Sequence, residues 1–147
     1  MAAIRRAETT WSGPLSTGSG TVSGVTSRTF SDLPVSWTAR TEEAGGKTSP
    51  EELLAAAHSS CFAMALSGAL FRGGTPPERL DVSAEVTFDK VEAGWRVVSS
   101  VLTVRGKVPG ITAEAFEAAA EATRTGCPIS QALLGNVALT VEATLVP

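Results

Sequence analysis

The sequence predicts an α+β domain with a largely antiparallel sheet, and three observations carry that prediction. The hydrophobic period switches along the chain in the order strands, helix, hairpin, helix, helix, strand. One long apolar segment, from Pro50 to about Phe71, lies between runs of strand type. The 147 residues, 43% hydrophobic and 18% charged, suit one globular domain, 1–147, with a core of useful size.

The elements follow from local patterns. "GTVSGVT" (20–26) and "LPVSWTA" (33–39) are short strand-like runs broken by Gly, Ser and Pro, with turns around Gly13-Pro14 and "STGSG". The second run would place Val35 and Trp37 on one face. "STGSG" has no Walker lysine and no helix after it, so it reads as a turn rather than a phosphate loop. A polar, glycine-containing loop, "RTEEAGGKTS", leads into the long helix. "LDVSAEVTFDK" and "WRVVSSVLTVRGKV" then read as a hairpin joined by "VEAG", with Gly94 in the turn. Thr112 to Thr125 is an alanine-rich helix ending at Gly126, "PISQALLG" a short third helix, and "VALTVEATLV" a final strand.

The long helix has a well-specified start. Ser49 is a good N-cap, Pro50 suits the first helical position, and Glu52 stands where it can reach back to the cap N–H in a capping box. Glu51 is not needed for the box, although a first-turn carboxylate favours the helix dipole. At about 1.5 Å per residue the helix would be roughly 33 Å long. Leu53, Leu54, Phe62, Met64, Leu66, Leu70 and Phe71 fall on several of its faces, separated by Ala, Ser and Gly. No face is built for water, so the helix must be enclosed by its own sheet and a second copy of itself.

Composition excludes several function classes. A net charge of -3 gives no electrostatic reason to expect nucleic acid or an acidic membrane surface as partner. "MAAIRRAETTWSG" has no apolar run of signal-peptide length, and the long helix contains His58 and three serines and is bounded by charges, so a cytoplasmic protein is expected. In that compartment the two cysteines, Cys61 and Cys127, are buried thiols or redox groups rather than a structural disulfide.

Three readings of Cys61 are open from the residues alone. It can be a small core residue, as most free cysteines in apolar runs are. His58 and Cys61, one turn apart, could form a Cys–His hydrolase pair. A zinc site lacks a ligand-spacing signature, and no metal is expected. Cys127 lies in "TGCPIS", between a helix-ending Gly and a helix-opening Pro, where a helix N-terminus lowers a thiol's pKa. Cys61 would need a separate cation. Arg40 could hold its thiolate while pairing with Glu51, with Arg28 the next candidate.

"SPEELLAAAHSSCFAMALS" resembles the helix signature of the OsmC/Ohr family of organic hydroperoxide reductases, and "GCPIS" resembles that family's second cysteine motif. The motifs lie 66 positions apart, the order of elements agrees over nearly the whole chain, and His58 at the "AAH" position is more like the OsmC branch. The sequence departs from the family pattern in having Thr41 after Arg40 and a loop to Pro50 one residue longer. The resemblance implies an OsmC-like fold, a long central apolar helix packed with largely antiparallel sheet in an intertwined homodimer. It further implies that Cys61 is the peroxidatic cysteine, Cys127 the resolving one, and Arg40 and Glu51 the pair that activates the thiolate and binds peroxide.

The resemblance thus implies a thiol peroxidase that needs no cofactor, reduces organic hydroperoxides, and is recycled by a lipoyl-type or small dithiol. Phe30, Trp37 and Met64 are candidate walls of an apolar substrate entrance, as well as candidates for ordinary core. The alternative from a different class is a non-catalytic member of the fold that binds an apolar ligand or a stress-related partner. Glu51 and Cys61, ten positions apart on one helix, are separated by about 15 Å, so a shared site calls for a second subunit.

Overall fold

The computed structural model describes residues 1–147. The chain forms two compact units, Met1–Leu53 and Leu54–Pro147.

The first unit holds a three-stranded antiparallel sheet in the order β1 (Ala7–Ser12), β2 (Ser19–Gly24), β3 (Leu33–Val35), followed by α1 (Trp37–Thr41). Every residue of β1 is exposed, so ladder hydrogen bonds to β2 rather than a buried face define it. That explains its absence from the sequence expectation, which rested on apolar alternation. The run 33–39, expected as one strand, is a strand only to Val35. Ser36 then caps a helical turn by accepting the Ala39 N–H at 3.2 Å, which swings Trp37 out of the strand and into α1.

The long helix α2 (Pro50–Arg72) begins in the first unit and continues through the second without interruption. Ser49 Oγ accepts the Glu52 N–H at 3.1 Å, as an N-cap does. The reciprocal half of the expected capping box is replaced: the Glu52 carboxylate accepts from Thr48 Oγ1 at 2.8 Å instead. By length and composition α2 could cross a bilayer. Its buried row, however, is a core contact. Phe62, Leu66 and Leu70, spaced four apart, pack with Leu102, Val104, Phe116 and Ala120.

In the second unit β4 (Arg79–Val91) and β5 (Gly94–Lys107) form the expected hairpin, with Gly94 at φ 111° in its turn, a conformation that favours glycine. The chain returns through α3 (Ala113–Gly126) and α4 (Pro128–Leu133), and β6 (Ala138–Leu145) then pairs with β5 in parallel. A parallel partner for β5 needs this helical crossover, and period alone does not reveal the direction of pairing. Other faces of α2 stay open: Met64 and Phe71 are 71% and 70% exposed.

Candidate active site

Two groups of functional side chains are present, one in each unit. In the first, Arg40 stands in the last turn of α1 and Glu51 in the first turn of α2. The guanidinium grips the carboxylate as a fork: Arg40 Nε lies 3.1 Å from both oxygens and Nη2 2.8 Å from Oε1. The side chains are 30% and 9% exposed, so this two-pronged pair is more strongly held than an isolated surface ion pair. Arg40 also lies over the Trp37 ring, 6.0 Å from its centroid. Arg40 borders a cavity of about 350 Å³ lined also by Thr9, Trp11, Leu15, Val35 and Trp37, an apolar recess with a cation at its edge.

Of the three expected wall residues, only Trp37 lines this recess. Phe30 lies against Gly24, where an added Cβ would meet the ring at 2.8 Å. Met64 borders a shallower depression with Ala63, Ser67 and Pro77. Arg28 sits exposed in the connection after β2, at φ 56°.

In the second unit α2 presents Cys61 half-buried, and Cys127 is fully buried at the junction of α3 and α4. Cys127 closes one helix and caps the next: its N–H donates to Thr123 O at 3.1 Å and its Sγ accepts the Ser130 N–H at 3.3 Å. The two free thiols are neighbours, and Cys127 influences the ionisation of Cys61. Burial pushes the Cys61 thiol up, the Ile129 backbone N–H pulls it down, and Cys127 pushes it up again. None of these influences is a cation.

His58, one turn before Phe62 on the same buried row, is 0% exposed. Its Nδ1 lies 2.7 Å from Ser100 Oγ and its Nε2 2.8 Å from Ser130 Oγ. Both ring nitrogens are thus engaged by serines, and neither is the base of a Cys–His pair with Cys61. Ser100 and Ser130 were missed by sequence reasoning. Ser130 had a signal, since the third position after an N-cap residue returns its N–H to that residue's side chain. Ser100, inside "VVSSVLTV", had none.

Burial lowers the His58 pKa, which fixes the sign of one pH effect. In acid the unfolded chain protonates its histidine near pH 6.5 while the folded chain does not, so stability present above that pH is lost as pH falls through the depressed folded value. Chemical denaturation between pH 7 and 5 should show a stability decline of at most about 1.4 kcal/mol per pH unit, and His58→Gln should flatten it. An unchanged slope in the variant would assign the decline to carboxylates.

Comparison with known proteins places this chain. The family model for OsmC-like proteins matches residues 42–142. The chain is 37% identical over 139 residues to peroxiredoxin OsmC of Escherichia coli K12, covering 95% of this chain and 96% of that protein. It is 31% identical over 117 residues to the organic hydroperoxide resistance protein OhrA of Bacillus subtilis, covering 76% and 77%. Among solved structures, the organic hydroperoxide resistance protein OhrB of Bacillus subtilis superposes with a TM-score of 0.72 at 22% identity, over 96% of this chain and 98% of that one. With a family match over more than half its length, and the motifs "SPEELLAAAHSSCFAMALS" and "GCPIS" on α2 and at the start of α4, the chain belongs to the OsmC-like protein family.

Proposed function

We propose that this protein is a cysteine-based peroxidase that reduces organic hydroperoxides to alcohols in the cytoplasm. The observation that carries the reading is the meeting of two free thiols from sequence positions 61 and 127, one half-exposed and one buried. The similarity to a peroxiredoxin and to organic hydroperoxide resistance proteins supports the same chemistry.

The Cys61 thiolate attacks the outer peroxide oxygen. The O–O bond breaks, the proton released when the Cys61 thiol ionised goes to the departing alkoxide, the alcohol leaves, and Cys61 becomes a sulfenic acid. Cys127 then attacks the Cys61 sulfur, water is released, and a Cys61–Cys127 disulfide remains. An external dithiol, of lipoyl or small-molecule type, opens it through a mixed disulfide and leaves as its own disulfide. Two electrons pass from dithiol to peroxide per cycle, and no metal or flavin is required.

Arg40 stabilises the attacking thiolate and orients the peroxide, and Glu51 holds Arg40 in place. The recess beside Trp37 accepts the organic tail, each buried CH₂ contributing about 0.8 kcal/mol. A two-fold homodimer is part of this reading. The wholly exposed β1 and the exposed Met64 and Phe71 favour a partner surface.

The test is a thiol count on the reduced protein before and after one equivalent of cumene hydroperoxide. Loss of both free thiols, with return of both on adding dihydrolipoate, is the expected result. Two thiols surviving the peroxide would favour the non-catalytic, ligand-binding alternative.

A further inference from the structure

The peroxidase cycle gives no task to His58, a fully buried polar group. His58 is the only histidine in the chain and is 0% exposed, in a row otherwise made of Phe62, Leu66 and Leu70. A buried imidazole brings a desolvation cost that a leucine there would avoid, and its hydrogen bonds only offset that cost. The bonds are specific, and they lead to the reacting thiol. Ser100 Oγ lies 2.7 Å from Nδ1, Ser130 Oγ 2.8 Å from Nε2, and Ser130 Oγ in turn 3.2 Å from Cys127 Sγ.

One direction of donation links these groups without conflict. The Cys127 thiol donates to Ser130 Oγ, the Ser130 hydroxyl donates to Nε2, and Nδ1–H donates to Ser100 Oγ. Cys127 is 0% exposed, so bulk water has no direct access to its proton. Something inside the protein has to take that proton when the sulfur attacks.

We propose that Ser130 and His58 form a buried proton relay that accepts the thiol proton of Cys127 as it attacks the Cys61 sulfenic acid. This rests on the peroxidase reading and assigns its resolving step. The bond from Cys127 Sγ to Cys61 Sγ forms and the Cys61 S–O bond breaks, releasing hydroxide. The Cys127 proton passes to Ser130 Oγ as the Ser130 proton passes to Nε2, and the imidazolium is held by Nδ1–H···Ser100. Return of the stored proton to the hydroxide leaves a disulfide and one water. When the dithiol opens the disulfide and Cys127 departs as a thiolate, the proton given up by the attacking dithiol neutralises it, and Ser130 and His58 return to their resting hydrogen bonds. Ser130 touches the reacting sulfur; His58 acts through Ser130 and is a positioning and proton-holding residue.

The groups facing the ring are Ser100 from β5 and Ser130 from α4, with Cys127 beyond, and no charged side chain hydrogen-bonds or ion-pairs with it. Burial depresses the His58 pKa, which keeps the ring neutral near pH 7 with the Nε2 lone pair available.

The experiment separates the two halves of the cycle in tag-free, reduced protein. Single-turnover reactions with cumene hydroperoxide are followed by dimedone trapping of the sulfenic acid and by the rate of disulfide formation. His58→Gln keeps polarity but cannot hold the proton, Ser130→Ala cuts the relay, and Ser130→Thr keeps the hydroxyl. In His58→Gln and Ser130→Ala, disulfide formation should slow by at least about tenfold while sulfenic acid formation keeps its rate, and Ser130→Thr should restore the slow step. The double variant should be no slower than the slower single one. Disulfide formation at the parent rate in either single variant, or an equal slowing of both steps, would overturn the relay. A second readout needs no peroxide: ring ¹⁵N shifts of the sole histidine in the reduced protein at pH 7 should show Nδ1 protonated and Nε2 bare. A protonated Nε2 overturns the relay even if the peroxidase reading stands, whereas a protein that forms no sulfenic acid overturns the peroxidase reading and the relay with it.

Discussion

Cys61→Ser is expected to consume no peroxide at all, whereas Cys127→Ser should react once and stop. The difference follows from where the sulfurs sit. Cys61 is the more exposed of the two, so a hydroperoxide reaches it first; Cys127 is sealed in the core with Phe62, Leu66 and Phe116 and can meet only an intermediate already inside. A serine hydroxyl at position 61 has too high a pKa to supply an anion near pH 7, so the loss should be complete rather than partial. In Cys127→Ser the first oxidation leaves a sulfenic acid with no second thiol to condense with. One equivalent of cumene hydroperoxide should be consumed and a dimedone adduct should accumulate on Cys61, visible by intact mass. Repeated dithiol-driven turnover by Cys61→Ser would show that the assignment of the two thiols is wrong.

The second large effect concerns the assembly. Because α2 is unbroken from Pro50 to Arg72, Glu51 and Cys61 are about 15 Å apart along its axis. A partner helix running antiparallel would bring one subunit's Glu51 to the other's Cys61. Arg40 and Glu51 are joined by their fork of hydrogen bonds within one chain, so both should arrive from the same subunit. Cys61→Ser and Glu51→Ala should each be inactive alone. After subunit exchange their mixture should recover activity, roughly a quarter of the parent level for random pairing with one intact site per heterodimer. Cys61→Ser mixed with Arg40→Ala should recover equally. Arg40→Ala mixed with Glu51→Ala should stay dead, because each pairing then lacks one member of the fork. Exchange without recovery in the first mixture, or an active monomer by light scattering, would remove the shared site and place activation of Cys61 elsewhere.

Much of this was legible in the residues. Ser49-Pro50 and the long apolar run defined α2 almost to its last residue, because caps and period are local properties of the chain. Thr112, Gly126 and Pro128 marked α3 and α4 in the same way, and Gly94 marked the hairpin. The spacing and flanks of Cys61 and Cys127 carried the family and the chemistry. Less legible was whatever depends on a partner in space. β1 has no buried face to give it a period, β3 yields to α1 where Ser36 caps a turn, and β6 chooses a parallel neighbour only because α3 and α4 carry the chain across.

The site divides along the same line. The sequence by itself determined which residues can do thiol chemistry, since side-chain type and helix caps are read directly from the chain. Only the tertiary structure decided which of them meet. It gave Arg40 a two-pronged carboxylate partner eleven residues away, left Cys61 with a raised pKa and no cation among its influences, and took Phe30 and Met64 away from the apolar recess. It also turned His58, nominally one helical turn from Cys61, toward Ser100 and Ser130, 42 and 72 residues distant. The physical reason is that a buried polar side chain must find its hydrogen bonds wherever packing supplies them, and those partners are set by three-dimensional contact that no local period encodes.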